Sequence, residues 1–254
     1  MSAILEAHRL RKRFGAVVAA DDITVQIPAD AVVGLIGANG AGKTTFVNMV
    51  TGYLKPDTGR IVFDGSDITA LKPRQITRRG ICRSFQIPQL YDSLTVRENL
   101  TIAALGRRRG KFRLDFLKGL HKVRGLDHDV TETAALVHLT HRLDAGVSEL
   151  AYGEKRRLEV GLALATNPTL LLLDEPLAGM SHEERVETVA LLKSIARDRT
   201  MVIIDHDMDS LFELVGKVTV LQEGKLLVEG TPEEIKNNPL VQEAYLGGME
   251  EEVA

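Results

Sequence analysis

The sequence predicts an α/β fold built on a parallel sheet, and three stretches carry that prediction. "AVVGLIGANG" passes from an apolar run into a glycine-rich turn, "TLLLLDEP" is a continuous apolar run stopped by two acids and a proline, and "RTMVIIDHD" repeats that design. Apolar runs without alternation mark strands covered on both faces, the environment of a parallel sheet whose crossovers are helices. Polar residues delivered at the ends of such strands place a site along the carboxyl edge of the sheet.

The elements follow in order. Residues Ala31 to Ile36 read as a buried strand, and "KTTFVNMVTGYL" as the helix after it, with apolar residues at Phe46, Val47, Val50 and Leu54. "GRIVFDGSDI" is an apolar run closed by Asp64-Gly65, a hairpin-type turn. "GICRSFQ" is a short strand candidate, with Cys82 as a packing residue within it. From Thr95 to Ala165 the pattern is helical, with no convincing strand, and looks like an insertion into the sheet domain. "KVTVLQEGKLLVEGTPEEI" predicts a hairpin turning at Glu223-Gly224, then a helix opened by Thr231-Pro232 with acids in its first turn. No internal repeat, low-complexity tract or long linker interrupts this order.

Composition bounds the function classes. The chain has 254 residues, 44% hydrophobic and 26% charged, enough apolar content for a substantial core in one domain or two closely packed ones. A net charge of -3 argues against nucleic acid as the partner. The single cysteine excludes an intrachain disulfide framework and fits a reducing compartment. "MSAILEAHRLRKRFG" has no apolar core followed by a cleavage site, so no signal peptide is expected. No apolar run approaches the ~20 residues needed to span a bilayer. The chain is expected to be soluble by itself and able to dock onto a membrane protein.

"GANGAGKT", Gly37 to Thr44, matches G-x-x-x-x-G-K-[ST] between a strand and a helix. The glycines Gly37, Gly40 and Gly42 permit positive φ, so that successive backbone N–H groups, including those of Ala38, Asn39 and Ala41, can close around β- and γ-phosphates. The helix N-terminus adds partial positive charge. Lys43 places a point charge on the phosphate oxygens, the Thr44 hydroxyl ligates Mg²⁺, and Thr45 can add a hydrogen bond. Asp174, ending the leucine run, is the natural second metal contact. Glu175 follows, placed to orient and deprotonate the attacking water. His206, at the end of the next strand, can reach the γ-phosphate as a donor. The six other histidines, including His138 and His141, have no third ligand nearby and read as solvated helix residues. "SELAYGEKRRLEV", Ser148 to Val160, reads equally as an ordinary helix start or as a phosphate-facing one, with Gly153 letting a ligand approach the backbone.

The order P-loop, "SFQIPQLYDSLTVRENL", "LAYGEKRR", "LLLLDEP", "IIDHD" resembles the ATP-binding subunit of ABC transporters over essentially the whole chain. The resemblance implies a P-loop NTPase (RecA-like) core, with an antiparallel N-terminal β portion and an inserted helical subdomain. It divides the single domain into a nucleotide-binding core, 1–92 and 160–254, and a helical signature subdomain, 93–159. By resemblance Phe14 stacks on adenine, and Gln86 contacts Mg²⁺ and the attacking water while linking to the membrane subunits. Leu150, Ala151, Tyr152, Gly153 and Glu154 stand where the family has L-S-G-G-Q, the signature that closes on the γ-phosphate of ATP held by a second subunit. Two such chains then sandwich two nucleotides. The expected partners are a second ATPase subunit (a homologous one in a heterodimer, or a second copy of the chain in isolation), two permease subunits and, indirectly, a periplasmic binding protein. The expected location is peripheral, on the cytoplasmic face of the inner membrane.

Two positions depart from the family pattern: Ala151 replaces the signature serine, with Tyr152 at its first glycine, and Ser181 stands where S-A-L-D places an aspartate. They predict weakened, asymmetric hydrolysis. "LAYGEKRRLEVGLALATNP", "DEPLAGM", "IIDHDM" and "NNPLVQEAYLGG" look most like the larger ATP-binding subunit of branched-chain amino acid importers. Subunits for urea or amide uptake and for lipopolysaccharide export are similar. A soluble P-loop ATPase of chromosome handling would insert a long coiled coil that this chain lacks, and a small-molecule kinase would not need the second glycine-opened helix. The basic segment Gly106 to Gly125 reads as a solvated surface on the helical insertion, with an RNA or anionic-lipid patch as the alternative. The charges Glu154-Lys155-Arg156-Arg157 read as the exposed face of the signature helix.

Overall fold

A computed structural model of the chain describes residues 2–84, 90–107, 125–205 and 207–244. Gln86, His206, the 108–124 stretch of the basic segment and the end of the tail lie outside the described residues.

The predicted parallel sheet is present as the centre of the molecule. Strands β3 (Val32–Ile36), β6 (Ile81–Arg83), β7 (Leu170–Asp174), β8 (Thr200–Ile204), β9 (Lys217–Gln222) and β10 (Lys225–Gly230) assemble in the order β10-β9-β3-β8-β7-β6. All neighbours are parallel except the β9–β10 hairpin at the edge, which turns at Glu223-Gly224 as predicted. Every residue of β7 and β8 is buried, the property that made them read as unbroken apolar runs. Helix α1 (Lys43–Val50) follows β3, with Phe46, Val47 and Val50 buried. It ends four residues before Leu54, which packs partly buried beyond it.

A second, antiparallel sheet, β2-β1-β4-β5, lies against one face of the first. It contains β1 (Ala3–Phe14), β2 (Val17–Pro28), β4 (Thr58–Phe63) and β5 (Ser66–Asp67). The strands β1 and β2 are each 12 residues long, yet they give no clean alternation in sequence. Left-handed residues explain this: Arg9 (φ 48°) and Asp22 (φ 65°) sit at register shifts that move the inward face by one residue. Leu5 and Ala7 therefore share a face with Leu10, and Ala20 with Ile23.

The central sheet separates two cores. On one side Val33, Leu35, Leu170, Leu172, Val202 and Ile204 pack with α1 and the antiparallel sheet. On the other, Ile36, Leu171, Leu173, Met201 and Ile203 pack with the helical segment, through Val96, Leu100, Val130, Leu158 and Leu164. That segment holds α3 (Val96–Arg107), α4 (Leu126–Leu136) and the start of α5 (Tyr152–Ala165); among the described residues its only β pairing is the Thr95–Gly146 bridge. Helix α5 runs unbroken through residue 159, so one helix joins the helical segment to the sheet. The half-buried Cys82 packs against this core, and burial pushes its thiol up. Helix α2 (Pro73–Arg78) precedes β6, and further along come α6 (His182–Ile195), α7 (Met208–Phe212) and α8 (Pro232–Lys236), the last opened by Thr231-Pro232 with Glu233 and Glu234 in its first turn.

Because β7 feeds both cores, truncation on either face is expected to cost alike. Leu171→Ala and Leu172→Ala should each lower the unfolding free energy by about 2–5 kcal/mol, read as a reduced urea midpoint at constant slope.

Candidate functional site

The phosphate loop is shaped by what crowds it. Gly42 caps helix α1 with φ 98°, and a Cβ there would lie 2.6 Å from the Ala19 carbonyl oxygen of β2. At Gly37 the Cβ would lie 2.3 Å from the Leu221 carbonyl oxygen of β9. Only glycine lets three chain segments meet here. The Glu223-Gly224 turn then clamps the loop: the Gly224 N–H donates to the Ala41 carbonyl (3.0 Å) while the Asp21 N–H donates to the Gly224 carbonyl (2.7 Å). Ala41 is buried by this contact, whereas Asn39, Gly40 and Thr44 face outward and Ala38 and Thr45 are half-buried.

Lys43 lies across the loop, its Nζ donating to the carbonyls of Gly37 (2.6 Å) and Ala38 (3.0 Å). Burial holds its amine below the usual lysine range, and the carboxylates of Glu175 and Asp174 pull it back up. The structure thus brings the phosphate loop and the acidic strand end together.

Asp174 is buried at the end of β7 and paired with Arg83 of β6. The Arg83 guanidinium also donates to Asn48 Oδ1 of α1 (2.7 Å), and the Asp174 N–H donates to Ser84 Oγ (3.3 Å). Glu175 takes the left-handed conformation, φ 49°, unusual for a residue with a Cβ. Its N–H donates to the Ile204 carbonyl (2.7 Å), so a strained backbone costing about 1–3 kcal/mol is held by β8. Asp205, also buried, accepts from the Leu177 N–H (3.3 Å) and the Asp207 N–H (3.0 Å), tying the two strand ends together.

Phe14 stands at the end of β1 with 51% of its surface exposed, the Lys12 amine 5.9 Å from its ring centre. An exposed aromatic beside a cation is open to a planar ligand.

The signature stretch opens helix α5. Leu150 is buried, Ala151 is the N-cap, and Tyr152 is exposed. Alanine has no side-chain acceptor, so only the reverse half of a capping box forms: the Ala151 N–H donates to Glu154 Oε2 (2.9 Å). The Tyr152 hydroxyl donates to the Ala178 carbonyl (3.1 Å), and the buried Gly153 N–H donates to Glu184 Oε1 (3.0 Å). Ser181 caps α6, accepting the Glu184 N–H (3.3 Å).

Two readings are corrected here. Arg156 does not belong to an exposed charged face: it is buried, pairs with Glu159 (2.8 Å) and lies 5.7 Å from the Tyr152 ring centre. The spacing i, i+3 turns both inward, and burial pushes the Glu159 carboxyl up against the pull of Arg156. His138 and His141 are exposed, but not on an α-helix: His138 follows α4 with φ 56°, and His141 sits in a 3₁₀ turn.

Arg83, Asn48 and Glu184 carry the site without having been singled out in sequence. A signal existed for two of them. Arg83 is a charge inside an apolar strand, which must have a partner, and Ser181-x-x-Glu184 has capping-box spacing.

Residues 20–178 match the family model for ABC transporters, and residues 225–251 match the model described as branched-chain amino acid ATP-binding cassette transporter. The chain is 37% identical to BraF, the high-affinity branched-chain amino acid transport ATP-binding protein of Pseudomonas aeruginosa, over 96% of this chain and 98% of that one. It is 35% identical to LivG of Escherichia coli over the same shares. Among solved structures, an ATP-binding cassette of an ABC transporter in its ADP conformation superposes with a TM-score of 0.86 at 31% identity, covering 97% of this chain and all of that one. A nucleotide-free cassette superposes with a TM-score of 0.83 at 32% identity, covering 96% and 99%.

Removing one partner of the buried Arg83–Asp174 pair leaves an uncompensated charge. Arg83→Met is expected to lower stability by about 3–5 kcal/mol in equilibrium unfolding, far more than the same change at an exposed arginine such as Arg60.

Proposed function

The chain belongs to the ABC transporter ATP-binding family and is a transporter ATPase, and from that premise we propose that it powers import of branched-chain amino acids, hydrolysing Mg-ATP clamped between two such subunits. The solute class is carried by the match of residues 225–251, together with relatives that align end to end and are named for that transport.

The phosphates lie on the N–H groups of Gly37 to Thr45, with Lys43 turning from its two carbonyls to the β- and γ-oxygens. Negative charge there offsets the burial that depresses its amine. Phe14 stacks on the base. Thr44 and Asp174 are hard oxygen donors suited to Mg²⁺, joined by Gln86 on the family pattern. Among the described residues no group of three acidic, histidine or cysteine side chains forms a closed metal cage. Held by Thr44 and Asp174, Mg²⁺ would neutralise charge on the transferred phosphoryl group.

Glu175 is the general base: it follows the strand end, close enough to Lys43 for its carboxylate to act on that amine, and it orients and deprotonates the attacking water. His206 donates to the γ-phosphate. Leu150 to Glu154 face the nucleotide held by a second ATPase subunit. Hydrolysis removes the ligand that favours the closed pair, a two-state change passed to two permease subunits. A periplasmic binding protein delivers the solute, and the subunit sits on the cytoplasmic face of the inner membrane. No helix among the described residues is long and apolar enough to cross a membrane.

Glu175→Gln keeps shape and removes the base. It is expected to leave ATP affinity unchanged and lower turnover by about 10²–10⁴-fold; near-normal turnover would exclude Glu175 from catalysis. For the solute, loss of this subunit should abolish uptake of labelled leucine into whole cells, with two permeases recovered alongside the tagged chain from membranes. Undiminished leucine, isoleucine and valine uptake would refute the transport assignment.

A further inference from the structure

Ala151 and Ser181, the two positions that depart from the family pattern, are joined in space by one side chain. The Glu184 carboxylate takes the Gly153 N–H on Oε1 (3.0 Å) and the Ser181 N–H on Oε2 (3.0 Å). Its own N–H returns to Ser181 Oγ (3.3 Å). It therefore caps two helices at once, its own α6 and the signature helix α5, whose N-cap Ala151 has nothing to offer the first-turn N–H groups. The seat is built for close approach: a Cβ at residue 153 would lie 2.7 Å from Glu184 Oε1.

We infer that Glu184 is a positioning residue that latches the signature, its carboxylate holding the Gly153 N–H that a second subunit's γ-phosphate must take. The inference rests on the two-subunit reading proposed above. Both occupants are anions drawn to the same N–H and the same helix N-terminus. They cannot share it, because two anions accepting from one N–H would stand in contact with each other and repel. Closure of the pair therefore requires Glu184 to leave.

Leaving is feasible. Glu184 is only partly buried, and its hold consists of hydrogen bonds from the Ser181 backbone and hydroxyl and then from Gly153. Arg157, whose Nη1 pairs with Glu187 (3.0 Å), also attracts it electrostatically, and the buried Arg157 Nε has no hydrogen-bond partner among the described residues. The same movement frees the Ser181 loop, whose other tie to the signature is the Tyr152 hydroxyl on Ala178. One carboxylate thus makes engagement of the signature and release of the loop after the acidic strand a single event.

The test uses the full chain carrying Glu175→Gln, with Mg²⁺ and ATP, and reads nucleotide-dependent association by sedimentation. Adding Glu184→Gln, which keeps the shape and removes the charge, is expected to bring association to about tenfold lower protein concentration. Glu184→Ala, which removes the carboxylate outright, should show the same gain, and thermal melts of each variant beside the parent chain separate the latch from a folding defect. ATP-dependent association that is unchanged or weakened in both variants overturns the latch and leaves the two-subunit reading standing. Absence of ATP-dependent association in the parent and every variant overturns both.

Discussion

The bond from the Gly224 N–H to the Ala41 carbonyl is the contact on which the phosphate loop depends. A loop of successive backbone donors has few interactions of its own, so its shape must come from what is pressed against it. Here the Leu221 carbonyl of β9 fills the space where a side chain would stand at Gly37, and the Ala19 carbonyl and the Gly224 turn fill it at Gly42. The glycines are needed twice over, for conformations closed to other residues and for backbones that touch. The β9–β10 hairpin and the antiparallel N-terminal sheet are thereby drawn into the site.

Along the neighbouring strand ends the constraint is electrostatic. Three carboxylates, Asp174, Glu175 and Asp205, are delivered by adjacent buried strands, and each is handled differently. Asp174 is neutralised by Arg83, Asp205 is consumed by backbone N–H groups, and Glu175 is carried by a strained backbone to the vicinity of Lys43. Two acids consecutive in sequence thus acquire different chemistry from their surroundings: one is paired with Arg83 at the strand end, and the other leaves the strand in the left-handed conformation.

Buried parallel strands and glycine turns are legible because their chemistry is local: β3, β7, β8 and both hairpin turns fall within a residue or two of where the sequence sets them. Strands β1 and β2 gave no element of their own on local pattern, since bulges at Arg9 and Asp22 break the period of two on which that reading depends. Arg156 was misread because a charge run in sequence does not say which way a helix faces; the Tyr152 ring and Glu159 decide that. Arg83 and Glu184 needed partners 91 and 31 residues away. A local pattern can announce that a buried charge must be paired, but not with what.

Read as isolated substitutions, Ala151 and Ser181 each take a functional group out of the site. In three dimensions they are complementary. A serine at 151 would offer its own hydroxyl to the first turn of α5, leaving the Glu184 carboxylate without a need to reach across; an alanine leaves that turn open to it. An aspartate at 181 would bring a second negative charge beside Glu184, whereas serine accepts the Glu184 N–H as a neutral cap. The pair is therefore better understood as one local solution to capping two helices with one carboxylate than as two independent losses. That solution places an anion of the protein's own at the one backbone donor where the family reading places a nucleotide's.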